Sequence, residues 1–181
     1  MHEWVDSMRA RDAETPPGRI EVIRATREQE PVLANLLELY VHDFSEFLEL
    51  KPGPDGRFGY KNLPLYWIEP ERHPFLITVN RELAGLALVK RGSQISNDDS
   101  VWDMAEFFVL RGYRRHGIGT EAAHEIWRSS PGRWEVRVME LNSAAHGFWE
   151  RAVSEFTGDP VRSVQVEKDG ERWRLFSFES R

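Results

Sequence analysis

Ala105-Glu-Phe-Phe-Val-Leu-Arg-Gly-Tyr-Arg-Arg-His-Gly-Ile-Gly-Thr120 is the stretch that decides how this chain is read. Its first half is short, apolar and aromatic, the pattern of a buried strand. Its second half carries Arg114, Gly117 and Gly119 and runs into Thr120-Glu-Ala-Ala-His-Glu-Ile-Trp127. There Ile118, Ala122, Ala123, Ile126 and Trp127 recur at helical spacing. A strand therefore feeds a glycine turn, and the turn opens a helix. The first turn of a helix leaves about four backbone N–H groups without intrahelical acceptors, and the macrodipole adds partial positive charge. Gly117 and Gly119 lack a Cβ, so a ligand can approach that backbone closely. Arg114 and Arg115 can add full charges for phosphate oxygens. The stretch is built like a phosphate cradle; a glycine-rich turn that binds nothing is the plainer alternative.

Three kinds of protein use such a turn. Gly112-x-x-x-x-Gly117 has the glycine spacing of a nucleoside-triphosphate loop, but Ile118-Gly119 follows where Lys-Ser/Thr is required. Gly117-x-Gly119-x-x-Ala122, with Glu140 downstream, fits the loose dinucleotide fingerprint. That fingerprint normally belongs to a longer series of βα units, and little chain follows Glu140. Arg114-Arg-His-Gly117-Ile-Gly119, preceded by Phe107-Phe-Val-Leu110, matches Arg/Gln-x-x-Gly-x-Gly/Ala. It resembles the acyl-CoA pyrophosphate loop of the GNAT superfamily of N-acetyltransferases.

Composition narrows the classes further. A chain of 181 residues, 40% hydrophobic and 30% charged, fits one soluble globular domain with a sizeable core. The net charge of -6 and dispersed basic residues disfavour a nucleic-acid partner. With no cysteine there is no disulfide framework, no thiolate zinc site and no cysteine nucleophile. His2, His42, His73, His116, His124 and His146 include no i, i+4 pair, so no metal is expected. No Gly-x-Ser-x-Gly elbow occurs. Residues 1–10 lack the apolar centre of a signal peptide and no apolar run has the length of a membrane span. The expected location is cytoplasmic, with no membrane partner.

Along the chain, residues 1–18 read as an arm outside the core, with a helix around Trp4 to Arg11 as one reading, and residues 19–181 as one domain. Arg19 to Arg24 alternates as a strand. Pro31 suits the first turn of a helix whose stripe is Leu33, Leu36, Leu37, Tyr40, Val41 and Phe44. Ser45 to Leu50 extends it or forms a second short helix. Lys51 to Gly59 is a loop. Tyr60 to Trp67 is aromatic without clear period, either packed on the core or walling a pocket. Pro74–Val79 and Leu83–Val89 form a hairpin through Asn80-Arg81-Glu82, and Ser100–Leu110 is the third strand of that meander. The helix ends at Ser129-Ser-Pro-Gly132, and Trp134–Met139 is the next strand. Asn142 caps a helix with the stripe Ala145, Phe148, Trp149 and Ala152. Val161–Val166 and Trp173–Phe178 close the chain as a hairpin turning at Asp169-Gly170.

The expected class is α/β of the α+β type, a mixed, mostly antiparallel twisted sheet of about six to seven strands flanked by helices. This element order is that of GNAT proteins. Asn142-Ser-Ala-Ala-His-Gly-Phe148-Trp149 also resembles that superfamily's second motif, Asn-x-x-Ala-x-x-Phe/Leu-Tyr, so the resemblance runs from about Ile20 to Phe178. It implies an acetyltransferase with acetyl-CoA as co-substrate and a primary amine as acceptor, reacting by direct attack in a ternary complex. The backbone of Phe108, Val109 and Leu110 would pair with the pantetheine arm and polarise the thioester carbonyl. Arg114, Arg115, His116, Gly117, Ile118, Gly119 and Thr120 would surround the pyrophosphate, with Asn142, Phe148 and Trp149 completing the cofactor side.

An alkyl ammonium has a pKa of roughly 10, so a base is needed. Glu106 and Asp103 are the candidates. Glu106 is favoured by its apolar neighbours Phe107 and Phe108, although a bulge in the strand would change which side chain faces the cleft. Tyr40, His42, Asp43 and Tyr66 are candidates for the acceptor side. Trp149 stands where the second motif ends in tyrosine, and an indole is no practical acid. Either Tyr40, Tyr60, Tyr66 or solvent protonates the leaving thiolate, or the chain binds acyl-CoA without efficient transfer. A small nicotinamide-binding oxidoreductase is the third reading. The acceptor is left open between small molecules and peptides, and exposed sheet edges in this fold often pair into homodimers.

Overall fold

The computed structural model describes residues 18–181. The helix considered around Trp4 to Arg11 lies outside them, as does His2. Strand β1 (Ile20–Arg24) leads to helix α1 (Glu30–Phe44), which has Pro31 in its first turn where no donor is needed. Next come a 3-10 turn (Leu63–Trp67), β2 (Arg72–Val79), β3 (Glu82–Arg91) and β4 (Trp102–Val109). Helix α2 (Ile118–Ser129), β5 (Gly132–Met139), α3 (Ser143–Thr157), β6 (Val164–Lys168) and β7 (Glu171–Ser180) complete the chain. The seven strands form one sheet in the order β1-β2-β3-β4-β5-β7-β6. The β2–β3 hairpin turns on Asn80 and Arg81 at φ 52° and 69°, and the β6–β7 hairpin on Asp169 and Gly170 at 54° and 80°. Two left-handed residues in succession match the twist of the flanking strands, which sets both registers.

All neighbours are antiparallel except β4 and β5, and these pair only at Trp102↔Trp134 and Asp103↔Glu135. The remainder of β4 keeps β3 as its single neighbour. That ladder is itself irregular: Leu88 faces Glu106 while Val89 faces Met104, so Ala105 is an extra residue in β4. Because side chains alternate along a strand, one inserted residue exchanges the two faces beyond it.

On one face of the sheet, α1 and the 3-10 turn bury Leu33, Leu37, Tyr66, Leu86, Leu88 and Phe108 together. On the other, α2 and α3 cover Trp127, Trp134, Val136, Trp149, Val153 and Phe176. Two expectations differ in detail. Ser45 to Leu50 is neither a continuation of α1 nor a second helix: the Ser45 hydroxyl donates to the His42 carbonyl at 2.6 Å, closing the helix end, and the chain turns away. Strand β6 starts at Val164 rather than Val161, because the Val161 amide donates to Ser154 Oγ at 2.9 Å and stays against α3. Among the described residues no helix is long and apolar enough to cross a membrane.

Candidate active site

Where β4 and β5 cease to pair, a cavity of about 160 Å³ opens, lined among others by Tyr40, Glu106, Phe107, Arg137, Asn142 and Trp149. The β4 backbone supplies its polar edge. The Leu110 amide donates to the Ala84 carbonyl of the β2–β3 hairpin at 2.8 Å. Strand alternation therefore directs the Phe108 amide to β3 as well, and turns those of Phe107 and Val109 toward the gap. Of Phe108, Val109 and Leu110, it is Val109 whose peptide edge faces the cleft. Phe108 commits its ring to the α1-side core.

At the start of α2, Gly117 is left-handed at φ 78° and Arg115 at 66°. The first helical bond runs from the Glu121 amide to the Gly117 carbonyl at 3.0 Å. The amides of Arg115 through Thr120 have no backbone acceptor among the described residues. A Cβ on Gly117 would meet nothing within 4 Å, so the space beside this glycine is open. Gly119 serves packing instead: its Cβ would lie 3.1 Å from the Phe148 ring. His116 is exposed, with Nδ1 2.7 Å from the Arg114 carbonyl, to which it donates.

The Arg114 guanidinium does not point at these amides. It donates to the Val109 carbonyl at 2.7 Å and to Asp43 Oδ2 at 2.5 Å, while Arg111 takes Asp43 Oδ1 at 2.7 and 3.1 Å. Asp43, considered above for the acceptor, thus ties the end of α1 to the loop. Partial burial raises its pKa, but the hydrogen bonds from the two arginines outweigh this and hold it below the usual carboxylate range. His42 is exposed and faces the Phe58 ring at 6.4 Å.

Glu106 and Asp103 differ sharply. Glu106 accepts from the Tyr40 hydroxyl at 2.6 Å and from the Tyr60 hydroxyl at 2.8 Å. Burial pushes its carboxyl up, and the two hydroxyls only partly counter this. Asp103 is 1% exposed, takes a terminal Arg137 nitrogen on both oxygens, and has Lys90 Nζ at 3.3 Å. Tyr66 is buried beside this cluster, with Arg72 over its ring at 5.3 Å. Burial and the Glu106 charge raise the phenols of Tyr40, Tyr60 and Tyr66.

Asn142 Oδ1 accepts from the Ala145 amide at 3.1 Å and so caps α3 while lining the cavity. Trp149 is buried between Phe107, at 5.0 Å, and Phe148, at 4.7 Å, measured between ring centroids. Three residues of the site escaped the sequence reading. Arg137 had a signal: in β5 the alternation of Trp134, Val136 and Val138 sets it on the opposite face. Lys90 had none. Glu38 seats the Tyr60 loop by accepting from the Phe58 and Gly59 amides at 2.7 and 3.0 Å, a pairing no local pattern announces. No group of three or more His, Asp or Glu able to hold a metal occurs among the described residues.

A mixed sheet parted between two parallel strands, with a helix start below the gap, is the architecture of acetyltransferases. An acetyltransferase of Thermus thermophilus matches with a TM-score of 0.64 at 17% identity, over 91% of this chain and 99% of that one. The yncA protein of Salmonella typhimurium, solved with its cofactor acetyl-CoA, matches at 0.59 with 11% identity, over 90% and 94%. Arabidopsis thaliana NAA60 in complex with acetyl-CoA matches at 0.57 with 16% identity, over 89% and 98%. The sequence pattern of the Acetyltransferase (GNAT) family matches residues 33–153, and the chain belongs to that family. No curated protein sequence matches it.

Proposed function

We propose that this protein is an N-acetyltransferase that moves an acetyl group from acetyl-CoA to a primary amine by direct attack in a ternary complex. The observation that carries the reading is Glu106, a half-buried carboxylate lining the cleft with two hydroxyl donors and no ion pair among the described residues. The chain fits the co-substrate: the amides of Arg115 through Thr120 have no backbone acceptor among the described residues, and a side chain at Gly117 would meet nothing within 4 Å. Acetyl-CoA, when bound, supplies the thioester carbon for attack and the thiolate that leaves.

The residues divide the work. Val109 offers its amide to the pantetheine arm, its carbonyl being held by Arg114. Tyr40, Phe44, Met139 and Trp173 line the cleft, and the amine would dock against them. Glu106 removes a proton from the ammonium so that its lone pair can attack. Burial favours the protonated acid and so strengthens this carboxylate as a base. Tyr40 both donates to Glu106 and lines the cleft, so it is placed to return a proton to the sulfur while regaining one from Glu106. Trp149 can orient the sulfur through its N–H but cannot protonate it.

Trp149 also favours the second reading, a non-catalytic acyl-CoA-binding module. Free-thiol release from acetyl-CoA across a panel of primary amines separates the two. Turnover that collapses in Glu106→Gln supports the enzyme. Binding of acetyl-CoA with no turnover across the panel supports the module.

A further inference from the structure

We propose that Arg137 is a positioning residue for the base: by holding Asp103 across the point where β4 and β5 part, it leaves Glu106 as the carboxylate free to exchange a proton in the cleft. The inference rests on Glu106 being the general base. Backbone pairing of the two strands ends at Asp103↔Glu135. Arg137 lies one alternation further along β5, and its side chain continues the connection by donating to both Asp103 oxygens. It also lines the cleft beside Glu106.

The bulge makes this cation necessary. Three residues apart in a regular strand, Asp103 and Glu106 would face opposite sides of the sheet. The extra residue Ala105 turns both toward α1. Two like charges on one buried face disfavour each other's ionisation. Facing Glu106 are Tyr40 from α1, Tyr60 and Tyr66 from the α1–β2 connection, Arg137 from β5 and Asp103 from its own strand. Lys90 of β3 stands behind Asp103, its ammonium shared with the Gly92 carbonyl at 2.6 Å. Lys90 and Arg137 thus match Asp103 and Glu106 in charge, and the two cations sit on Asp103. Glu106 has only hydroxyl donors, which can follow its proton.

The test is to titrate Glu106 directly, without an acceptor, by infrared difference spectroscopy of protein labelled with ¹³C-glutamate, with Glu106→Gln identifying the band. Arg137→Met is expected to raise the Glu106 midpoint by on the order of one pH unit, because the Arg137 charge that lowers it directly is lost and Asp103 is then only partly compensated. Asp103→Asn/Arg137→Met is expected to return it toward wild type. An unmoved midpoint in folded Arg137→Met overturns the proposal, since loss of packing alone has no reason to spare one variant and shift another. If Arg137→Met does not fold, Asp103→Asn alone decides: a lowered midpoint supports the coupling and an unmoved one overturns it. Thermal-shift titration with acetyl-CoA accompanies each variant. A wild type that ignores acetyl-CoA counts against the enzymatic reading, whereas the Arg137–Glu106 coupling stands or falls on the titration.

Discussion

Substituting Gly117 separates the backbone of the cradle from its ligand. At φ 78° an L-residue is left-handed, which costs about 1–2 kcal/mol. A Cβ there meets nothing within 4 Å, so no clash adds to that cost. In a domain of this size 1 kcal/mol shifts melting by about 2–4 °C, so Gly117→Ala should melt about 2–8 °C below wild type. Gly117→Trp carries the same backbone cost but fills the opening before the amides of Arg115 through Thr120. A ligand at about 100 times its Kd stabilises by about 2.7 kcal/mol, or about 5–11 °C by the same conversion. Differential scanning fluorimetry with acetyl-CoA, CoA and NADH should therefore show this rise with both CoA forms for wild type and largely for Gly117→Ala. For Gly117→Trp it should be absent. An undiminished rise in the Trp variant refutes the placement of the pyrophosphate, and a response to NADH in place of CoA revives the dinucleotide reading.

Further outcomes follow from the acid–base cluster and its surroundings. Glu106→Gln should lower amine-dependent thiol release by about 10²–10⁴ while keeping the acetyl-CoA melting shift. Because burial raises the Glu106 pKa in the fold, the stabilisation from its proton is present below the unfolded pKa and lost as pH rises through the folded one. Glu106→Gln should thus be more stable than wild type above that pKa, and urea titrations at descending pH should show the gap closing. Tyr60→Phe removes a donor that lowers the Glu106 pKa, so the acidic limb of the pH–rate profile should move up. Tyr40→Phe should move it likewise and also lower kcat on the plateau if Tyr40 returns the proton to sulfur. Asp43→Asn breaks ion pairs whose arginine ends reach solvent, worth about 0–1 kcal/mol, so melting should change by less than about 4 °C. It also unmasks Arg111 and Arg114 beside the cradle; calorimetry should show tighter acetyl-CoA binding at low salt, with the gain fading as salt rises.

The parts of the fold that were legible are those fixed within one turn or one strand. The glycines at 117 and 119, the Asn142 cap and the Asp169-Gly170 turn are local solutions to local geometry, and each reads from neighbouring residues alone. The α1 stripe and the alternation of β5 read for the same reason. The arginine clamp did not, because Asp43 reaches Arg111 and Arg114 at separations of 68 and 71 residues. Arg114 looked like a phosphate ligand because its motif is local, while the carboxylate that occupies its guanidinium is remote. Tyr60 presented a similar difficulty: its loop has no period, and Glu38 on α1 is what seats it.

The choice between Asp103 and Glu106 turns on a single residue without a signature. Ala105 is neither a glycine nor a proline, so nothing in its identity announces a bulge. Read as a regular strand, the two carboxylates take opposite faces and only one can reach the α1 side. With the bulge they share that face, and the question becomes which partners each meets. Asp103 meets Arg137 and Lys90 in a buried site, so cations already engage its oxygens. Glu106 meets two phenols, whose hydroxyls can reorient as the carboxyl gains or loses its proton. The same bulge that brings both acids to one face therefore sets them beside one another, and Arg137 on β5 pairs with Asp103 while Glu106 keeps its hydroxyl partners.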